Sequence, residues 1–282
     1  MKGFVDLHIH TTYSDSTLTP SEVVDIAIQK GFSAISITDH DCVDGIEPAL
    51  KSSEGCGLEV IPGVELTAEM DNLEIHILGY LIDYKKGWFM ERLKQIREAR
   101  VNRIYEMTKR LRDHGVNISA GTVFNISGPG AVGRLHLATA LYNEGHVSSI
   151  GEAFKKYIGN GSPFYVKKLR FTPREAVKMI KDLGGVAVLA HPYTVGNDGI
   201  IPSLVDEGIR GIEVYHTDHP NNVMLHYEQM ASRYGLLTTG GSDCHGEGKG
   251  GVLLGRIKVP YRVVDSLKSE AALLAKRRKG NE

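Results

Sequence analysis

The chain has 282 residues and a formal net charge of −1, with 41% hydrophobic and 24% charged residues. This length and composition suit one large α/β domain whose core needs no disulfides. The near-neutral charge argues against stable binding of duplex nucleic acid, and no apolar stretch is long enough to span a bilayer. Three widely spaced cysteines, and an N-terminus without a basic segment followed by an apolar run, favour a cytoplasmic location.

Seven short runs rich in isoleucine, valine and leucine are predicted to be buried strands. In chain order they are residues 4–10, 34–38, 58–64, 74–80, 186–190, 211–215 and 237–241. Two of the helical segments that follow begin with the same start signal, a Thr-Pro-x-Glu sequence at Thr19 and at Thr172. Strands that alternate with helices indicate a parallel, barrel-like α/β fold with seven strands.

Residues 85–166 interrupt this alternation because their pattern is mostly helical. Apolar residues at helical spacing predict one long helix over residues 88–112, which Gly115 ends. A second helix is predicted over residues 134–144. The region therefore reads as a helical insertion between the fourth and fifth strands.

This insertion divides the predicted barrel core into residues 1–84 and 167–282. It would cover the site as a lid or set substrate choice, or serve only as a structural cap. Its long helix is basic, with ten Lys or Arg residues against four Asp or Glu residues between Lys85 and His114. These charges indicate either a positive field around an anionic substrate or an ordinary solvated helix surface.

Side chains that can bind metal ions lie in or just after every predicted strand. They are His8, His10, Asp15, Asp39, His40, Asp41, Glu65, His76, His191, His216, Asp243 and His245. Because the loops after the strands of a parallel barrel form one face, we expect these groups to converge. Burying them together is costly unless shared cations compensate the charge; core histidines hydrogen-bonded to carboxylates are the alternative. Nitrogen and oxygen ligands favour manganese, zinc or iron.

The sequence resembles the PHP (polymerase and histidinol phosphatase) family. The resemblance is carried by Asp6-Leu7-His8-Ile9-His10, Ser14-Asp15, Thr38-Asp39-His40-Asp41, Pro62-Gly63-Val64-Glu65, His76, Ala190-His191-Pro192 and Gly241-Ser242-Asp243-Cys244-His245. It implies a distorted seven-stranded (β/α) barrel with two to three divalent metal ions. The implied ligand sets are His8, His10, Glu65 and Asp243; Glu65, His76 and His191; and Asp15, His40 and His245. By the same resemblance, His216 would contact phosphate or donate a proton, Asp39 would orient an imidazole, and Asp41 would cap the next helix.

Two further segments are similar to the TrpH-like subgroup of this family, Gly133-Arg134-Leu135-His136 and Tyr165-Val166-Lys167. That subgroup includes a nucleoside 3′,5′-bisphosphate phosphatase and a 5′-to-3′ exoribonuclease. Leu135 stands where the subgroup commonly has proline. The resemblance implies that Arg134, His136, Lys167 and His216 contact the substrate, with Arg134 and His216 in catalytic roles.

We therefore expect a phosphoesterase that hydrolyses phosphate esters of small nucleotides or short oligonucleotides through a metal-bound hydroxide. One alternative is a histidinol-phosphate phosphatase, for which the helical insertion and its basic motifs look unsuitable. Another is a catalytically inactive PHP scaffold, although all nine ligand positions hold metal-competent residues. A metal-dependent amidohydrolase also opens with His-x-His but typically uses a carboxylated lysine as its bridging ligand.

Overall fold

The computed structural model describes residues 3–70, 73–128, 132–166, 171–249 and 251–280. One sheet contains eight strands: β1 Phe4–Ile9, β2 Phe32–Ile37, β3 Glu59–Met70, β4 Leu73–Tyr80, β5 Val186–Leu189, β6 Gly211–His216, β7 Leu237–Gly241 and β8 Val259–Pro260. Their order is β7-β6-β5-β4-β3-β2-β1-β8. All seven predicted strands are confirmed. The additional strand β8 has only two residues, too few to give a recognisable periodicity.

The expectation of an all-parallel barrel is wrong at β4, which runs antiparallel to both β3 and β5. Only residues 71 and 72 separate β3 from β4, and parallel strands need a crossover connection of a dozen or more residues. The two strands therefore form a long hairpin in which Thr67 pairs with His76. The start of β4, rather than its end, consequently lies beside the loops that follow β1 and β2.

The two ends of the sheet approach each other where β1 meets the segment after β7. Ile9 forms an isolated parallel bridge with Cys244. The backbone amide of Asp243 donates to the carbonyl of His8 at 2.9 Å, and that of His10 donates to Cys244 at 3.0 Å. A Cβ atom on Gly241 would lie 2.3 Å from the backbone nitrogen of His8, so only glycine permits this contact. The sheet is thus nearly closed into a barrel.

Eleven α-helices lie in the described ranges. They are α1 Pro20–Gln29, α2 Ile46–Ser52, α3 Gly87–Asp113, α4 Ala120–Ser127, α5 Arg134–Asn143, α6 Ile150–Ala153, α7 Pro173–Asp182, α8 Pro192–Val195, α9 Ile201–Glu207, α10 Asn221–Tyr234 and α11 Arg262–Lys279. Both predicted start signals are confirmed as capping boxes, at Thr19 before α1 and at Thr172 before α7. Among these helices none combines the length and apolar character needed to cross a membrane.

The long helix α3 joins two hydrophobic clusters. Its first half packs Phe89 and Leu93 against the barrel core. Its second half packs Met107 and Leu111 against α4, α5 and α6, whose buried residues form a separate cluster. The predicted division at residues 85–166 stays a prediction, since α3 belongs to both clusters.

Replacing Gly241 with alanine should destabilise the protein by about 2 kcal/mol or more, because the added methyl group collides with the backbone of His8. Urea unfolding of Gly241→Ala measures this loss. The matched control is Gly121→Ala in α4, where the nearest atom to the new Cβ lies 3.6 Å away and alanine favours the helix. Equal unfolding midpoints for the two variants would contradict this account of barrel closure.

Candidate metal centre

One buried carboxylate, that of Glu65, lies at the centre of the converging side chains. Its Oε2 atom is 3.3 Å from Nε2 of His8, 3.2 Å from Nε2 of His10 and 3.0 Å from Nδ1 of His40. Glu65 can reach all three because β3 lies beside β2, and the loop after β2 pairs His40 directly with Glu65. His8 and His10 are two residues apart on β1 and its end, so they share one face.

The other oxygen of Glu65 faces a second pair of imidazoles. Oε1 lies 2.7 Å from Nδ1 of His76 and 3.1 Å from Nε2 of His191. On the opposite side, Oδ1 of Asp243 lies 3.4 Å from Nε2 of His8 and 3.1 Å from Nε2 of His10. Glu65 therefore bridges two groups of potential ligands.

A third group gathers around Asp15, in the loop after β1. Its Oδ1 is 3.3 Å from Nε2 of His245, and its Oδ2 is 3.8 Å from Nε2 of His40. His10 lies between this group and Glu65, and its Nδ1 is 3.6 Å from Oδ1 of Asp15. The structure thus brings all nine predicted ligand residues together at one mouth of the barrel.

The donor atoms fit divalent cations. Among the nine predicted ligand residues, four buried atoms have no hydrogen-bond partner: Nε2 of His8, Nε2 of His10, Oδ1 of Asp15 and Oε2 of Glu65. Buried polar atoms in native proteins normally have partners, so these atoms indicate a missing common one. Tetrahedral ligands at about 2.1 Å from a zinc ion lie roughly 3.4 Å apart, close to the separations found here. The cluster is therefore able to bind metal ions.

Protons and cations compete for the negative charge of this cluster. Burial by itself would raise the pKa of Glu65, but the imidazoles of His40, His76 and His8 hold it well below its usual range. Burial would lower the pKa of His10, but the carboxylates of Asp243 and Glu65 beside its ring raise it to about 10. Because metal ligands must be deprotonated, metal binding at this site would release protons.

Three residues at the cluster have left-handed backbone conformations that are uncommon outside glycine. The φ angles are 48° for Asp41, 23° for His191 and 52° for Asp243. Each residue follows the end of a strand closely, where the backbone turns sharply. Such strained residues persist only when surrounding contacts determine them, and they concentrate at functional sites.

Glu213 is a buried carboxylate at this site that the sequence reasoning missed. Its oxygens lie 3.1 and 3.2 Å from Nδ1 of His8, and Oε2 accepts a hydrogen bond from the backbone amide of His191 at 2.8 Å. An acceptor at Nδ1 leaves Nε2 of His8 free to face a cation. The available signal was an ionisable residue between Ile212 and Val214, inside a predicted buried strand.

The contacts of Asp39 and Asp41 bear on two further expectations. Asp39 accepts from the amide of Thr11 at 2.7 Å and from Ser14 Oγ at 2.5 Å. Ser14 in turn lies 3.3 Å from Nδ1 of His10, so Asp39 acts on that ring through a hydroxyl. Asp41 caps no helix, since Gly45 precedes α2 without a side-chain cap.

Asp41 instead links the barrel to the insertion. Its carboxylate accepts from the backbone amide of Thr67 at 3.0 Å and from Nε of Arg100 at 2.9 Å, with a second contact from the same guanidinium. Arg100 belongs to α3 and also donates to Thr67 Oγ1 at 3.0 Å. A buried ion pair therefore holds α3 against the loop that carries His40.

The predicted substrate residues are placed differently from one another. His216 is fully buried, and its Nε2 lies 3.6 Å from Asp243 Oδ2, a position that does not suit direct contact with substrate. His136 is also buried, and its Nδ1 accepts from the amide of Gly133 at the start of α5. Lys167 lies outside the described residues.

Arg134 lies at the edge of the cluster but is already paired. Its guanidinium donates to Glu74 Oε2 at 2.9 Å and to Asn160 Oδ1 at 2.9 Å. Glu74 also lies 3.1 Å from Nε2 of His76, so it links Arg134 to the metal cluster. Glu74 is a second carboxylate that the sequence reasoning missed, although it precedes His76 by two residues and therefore shares its face of β4.

Two neighbouring cavities open onto these groups. One of about 270 Å³ is lined by His40, Glu65, His76, His191, Thr194, Asp218, Asp243 and His245. The other, of about 150 Å³, is lined by Asp15, His40, Thr67, Glu74, Arg100, Arg103, Gly133, Arg134, Leu135 and Phe154. His40 lines both, so the metal-binding cavity adjoins a cavity lined by arginines.

Comparison with known proteins agrees with this arrangement. A sequence profile of the PHP domain matches residues 6–161. A 3′,5′-nucleoside bisphosphate phosphatase from Chromobacterium violaceum is 34% identical over 253 residues, which cover 88% of this chain and 89% of that protein. The 5′-3′ exoribonuclease Rnm of Escherichia coli is 34% identical over 247 residues, covering 85% and 84% of the two chains.

A solved structure from Bifidobacterium adolescentis, described as a candidate metal-dependent phosphoesterase, has the same fold. It superposes with a TM-score of 0.84 at 30% identity, and the match covers 93% of this chain and 94% of that chain. The predicted barrel architecture is thereby confirmed. The chain therefore belongs to the PHP family and is a metal-dependent phosphoric ester hydrolase.

Proposed function

We propose that the protein hydrolyses phosphate esters of small nucleotides, such as a nucleoside 3′,5′-bisphosphate, or of short oligonucleotides. The observation that carries this proposal is the sharing of His40 between the metal-binding cavity and the arginine-lined cavity. An ester whose phosphate lies at the first cavity would extend its remaining anionic groups into the second. The related bisphosphate phosphatase and exoribonuclease support the same substrate class.

We propose that two to three manganese, zinc or iron ions are the cofactors. The ligand sets are His8, His10, Glu65 and Asp243; Glu65, His76 and His191; and Asp15, His40 and His245. The contacts of both Glu65 oxygens support a bridging role, and the absence of thiolate donors from the sets favours these metals. The free state of all three cysteines supports a cytoplasmic location.

Divalent cations held there would lower the pKa of a water molecule toward neutrality and neutralise charge on the phosphoryl oxygens. The protein's own side chains would hold the cations and the substrate in position. Glu65 and Asp243 supply the negative charge that holds the cations. Arg134 would bind phosphate oxygens, with its guanidinium plane fixed by Glu74. His216, buried against Asp243, would orient that carboxylate instead of contacting the substrate.

The helical insertion supplies the other substrate contacts in this proposal. His136 fixes the first turn of α5, which carries Arg134, and Lys167 would add a further positive charge. Because Arg100 and Arg103 on α3 also line the second cavity, the insertion would set which phosphate esters enter.

The substrate proposal is tested by phosphate release from adenosine 3′,5′-bisphosphate, short single-stranded RNA and histidinol phosphate with manganese present. We expect kcat/KM for at least one nucleotide substrate to exceed that for histidinol phosphate by about 100-fold or more, because only nucleotides place a second anionic group near the arginines. Preference for histidinol phosphate would reject the proposal in favour of that alternative. Inactivity on all three with every metal would favour a scaffold.

Replacing His191 with alanine should lower kcat by about 1000-fold or more, since bound cations supply several kcal/mol of charge stabilisation in the transition state. The metal content of the purified variant, measured by elemental analysis, should fall with it. The matched control is His226→Ala, whose imidazole is 52% exposed, contacts Asp198 and lies edge-on to the ring of Tyr227. Wild-type turnover by His191→Ala would reject the ligand assignment.

Replacing Glu213 with glutamine should weaken metal affinity by roughly 10- to 100-fold, as expected when a carboxylate behind a histidine ligand is lost. Competition with a chromogenic chelator gives the affinity independently of turnover. Glu228→Gln is the control, because that carboxylate bonds the hydroxyl of Tyr215 on the outer side of the barrel. If the two variants bind metal equally well, Glu213 has no role in positioning His8.

A further inference from the structure

Arg103 is a buried cation with no ion pair among the described residues. Its side chain lies on α3, and the residue is only 6% exposed. The Nε atom donates to the carbonyl of Val166 at 2.7 Å, whereas Nη2 is buried and has no hydrogen-bond partner. Since a buried charge without compensation is costly, this guanidinium indicates a missing anion.

The other two arginines at the same cavity are already neutralised. Arg100 is paired with Asp41, and Arg134 is paired with Glu74. Burial and the nearby positive charge of Arg134 together lower the pKa of Arg103 to about 10. Arg103 nevertheless remains protonated near neutral pH. It is therefore the arginine of this group that has no carboxylate partner among the described residues and could gain an anionic one from an external ligand.

The cavity of about 150 Å³ connects Arg103 with the metal cluster. Asp15 and His40 line this cavity on the side of the cluster, and Arg103 and Arg134 line it on the side of the insertion. The ring of Tyr165 lies 5.0 Å from the guanidinium of Arg103 and 5.6 Å from that of Arg134. This stacking restrains both guanidinium planes.

We propose that Arg103 binds a second phosphate group of the substrate, one that is not hydrolysed, while the reacting phosphate lies at the metal cluster. The inference rests on the proposed function and names the residue that distinguishes bisphosphates from monophosphates. A guanidinium fork offers two parallel donors to phosphate oxygens, and an unused donor at Nη2 matches that geometry. The second phosphate also supplies the ion pair that Arg103 lacks among the described residues.

A structural role for Arg103 is the competing explanation. A small cavity of about 20 Å³, lined by Asp41, Thr67, Arg100 and Arg103 among others, could hold one water molecule beside the guanidinium. In that case Arg103 would only fix α3, and its loss would affect all substrates alike. If Arg103 binds the second phosphate, its replacement should lower kcat/KM for the bisphosphate more than kcat/KM for the monophosphates.

The kinetic test compares Arg103→Met and Arg103→Lys with wild type on adenosine 3′,5′-bisphosphate and on the 3′- and 5′-monophosphates. We expect Arg103→Met to lower the ratio of kcat/KM for the bisphosphate to that for the better monophosphate by about 50-fold, as for a lost charged hydrogen bond. Arg103→Lys should recover part of this ratio. Arg97→Met, on the same helix beside Cys42 and Asp44, should leave the ratio unchanged.

An unchanged ratio in Arg103→Met, whether or not overall turnover falls, would overturn the inference. A binding measurement separates it from the proposed function. Calorimetric titration of the full chain after metal removal should give weaker binding of adenosine 3′,5′-bisphosphate to Arg103→Met than to wild type. If wild type hydrolyses no nucleotide, the proposed function fails. Equal affinities of wild type and Arg103→Met in this titration would reject the second-phosphate site.

Discussion

Compensation of buried negative charge is the constraint on which this structure depends. Glu65 is completely buried and is approached by five imidazoles, those of His8, His10, His40, His76 and His191. Such a carboxylate is tolerated in a barrel core only if cationic partners stay at fixed distances. The hairpin of β3 and β4, the left-handed residues after the strands and the close contact of β1 with β7 all maintain those distances.

Much of this arrangement could be predicted because barrel architecture and metal chemistry leave signals in the sequence. Strand-length apolar runs and the two capping boxes are local features, so each can be recognised without knowing the fold. Predicted ligands such as His8, His191 and Asp243 lie in a strand or within two residues of its end, and strand ends are the places that a barrel brings together. The nine potential ligands could therefore be named before their distances were known.

The features that escaped prediction depend on contacts between distant parts of the chain. The direction of β4 follows from the short connection to β3, but the extension of β3 beyond Glu65 was not evident from its composition. Glu213 lies between Ile212 and Val214 in a largely buried strand, and its two partners are 205 and 22 residues away. The buried state of His216 likewise results from packing, whereas the motif alone suggested an accessible group.

The ion pair between Asp41 and Arg100 has a consequence for how PHP proteins can diversify. Asp41 adjoins His40 in the barrel, while Arg100 belongs to the insertion, so each half leaves a buried charge when its counterpart is absent. Removing one member of a buried pair costs about 3–5 kcal/mol. A helix exchanged into this position would have to keep an arginine that reaches Asp41. Any exchange of α3 or of the loop after β2 therefore has to preserve both members of the pair.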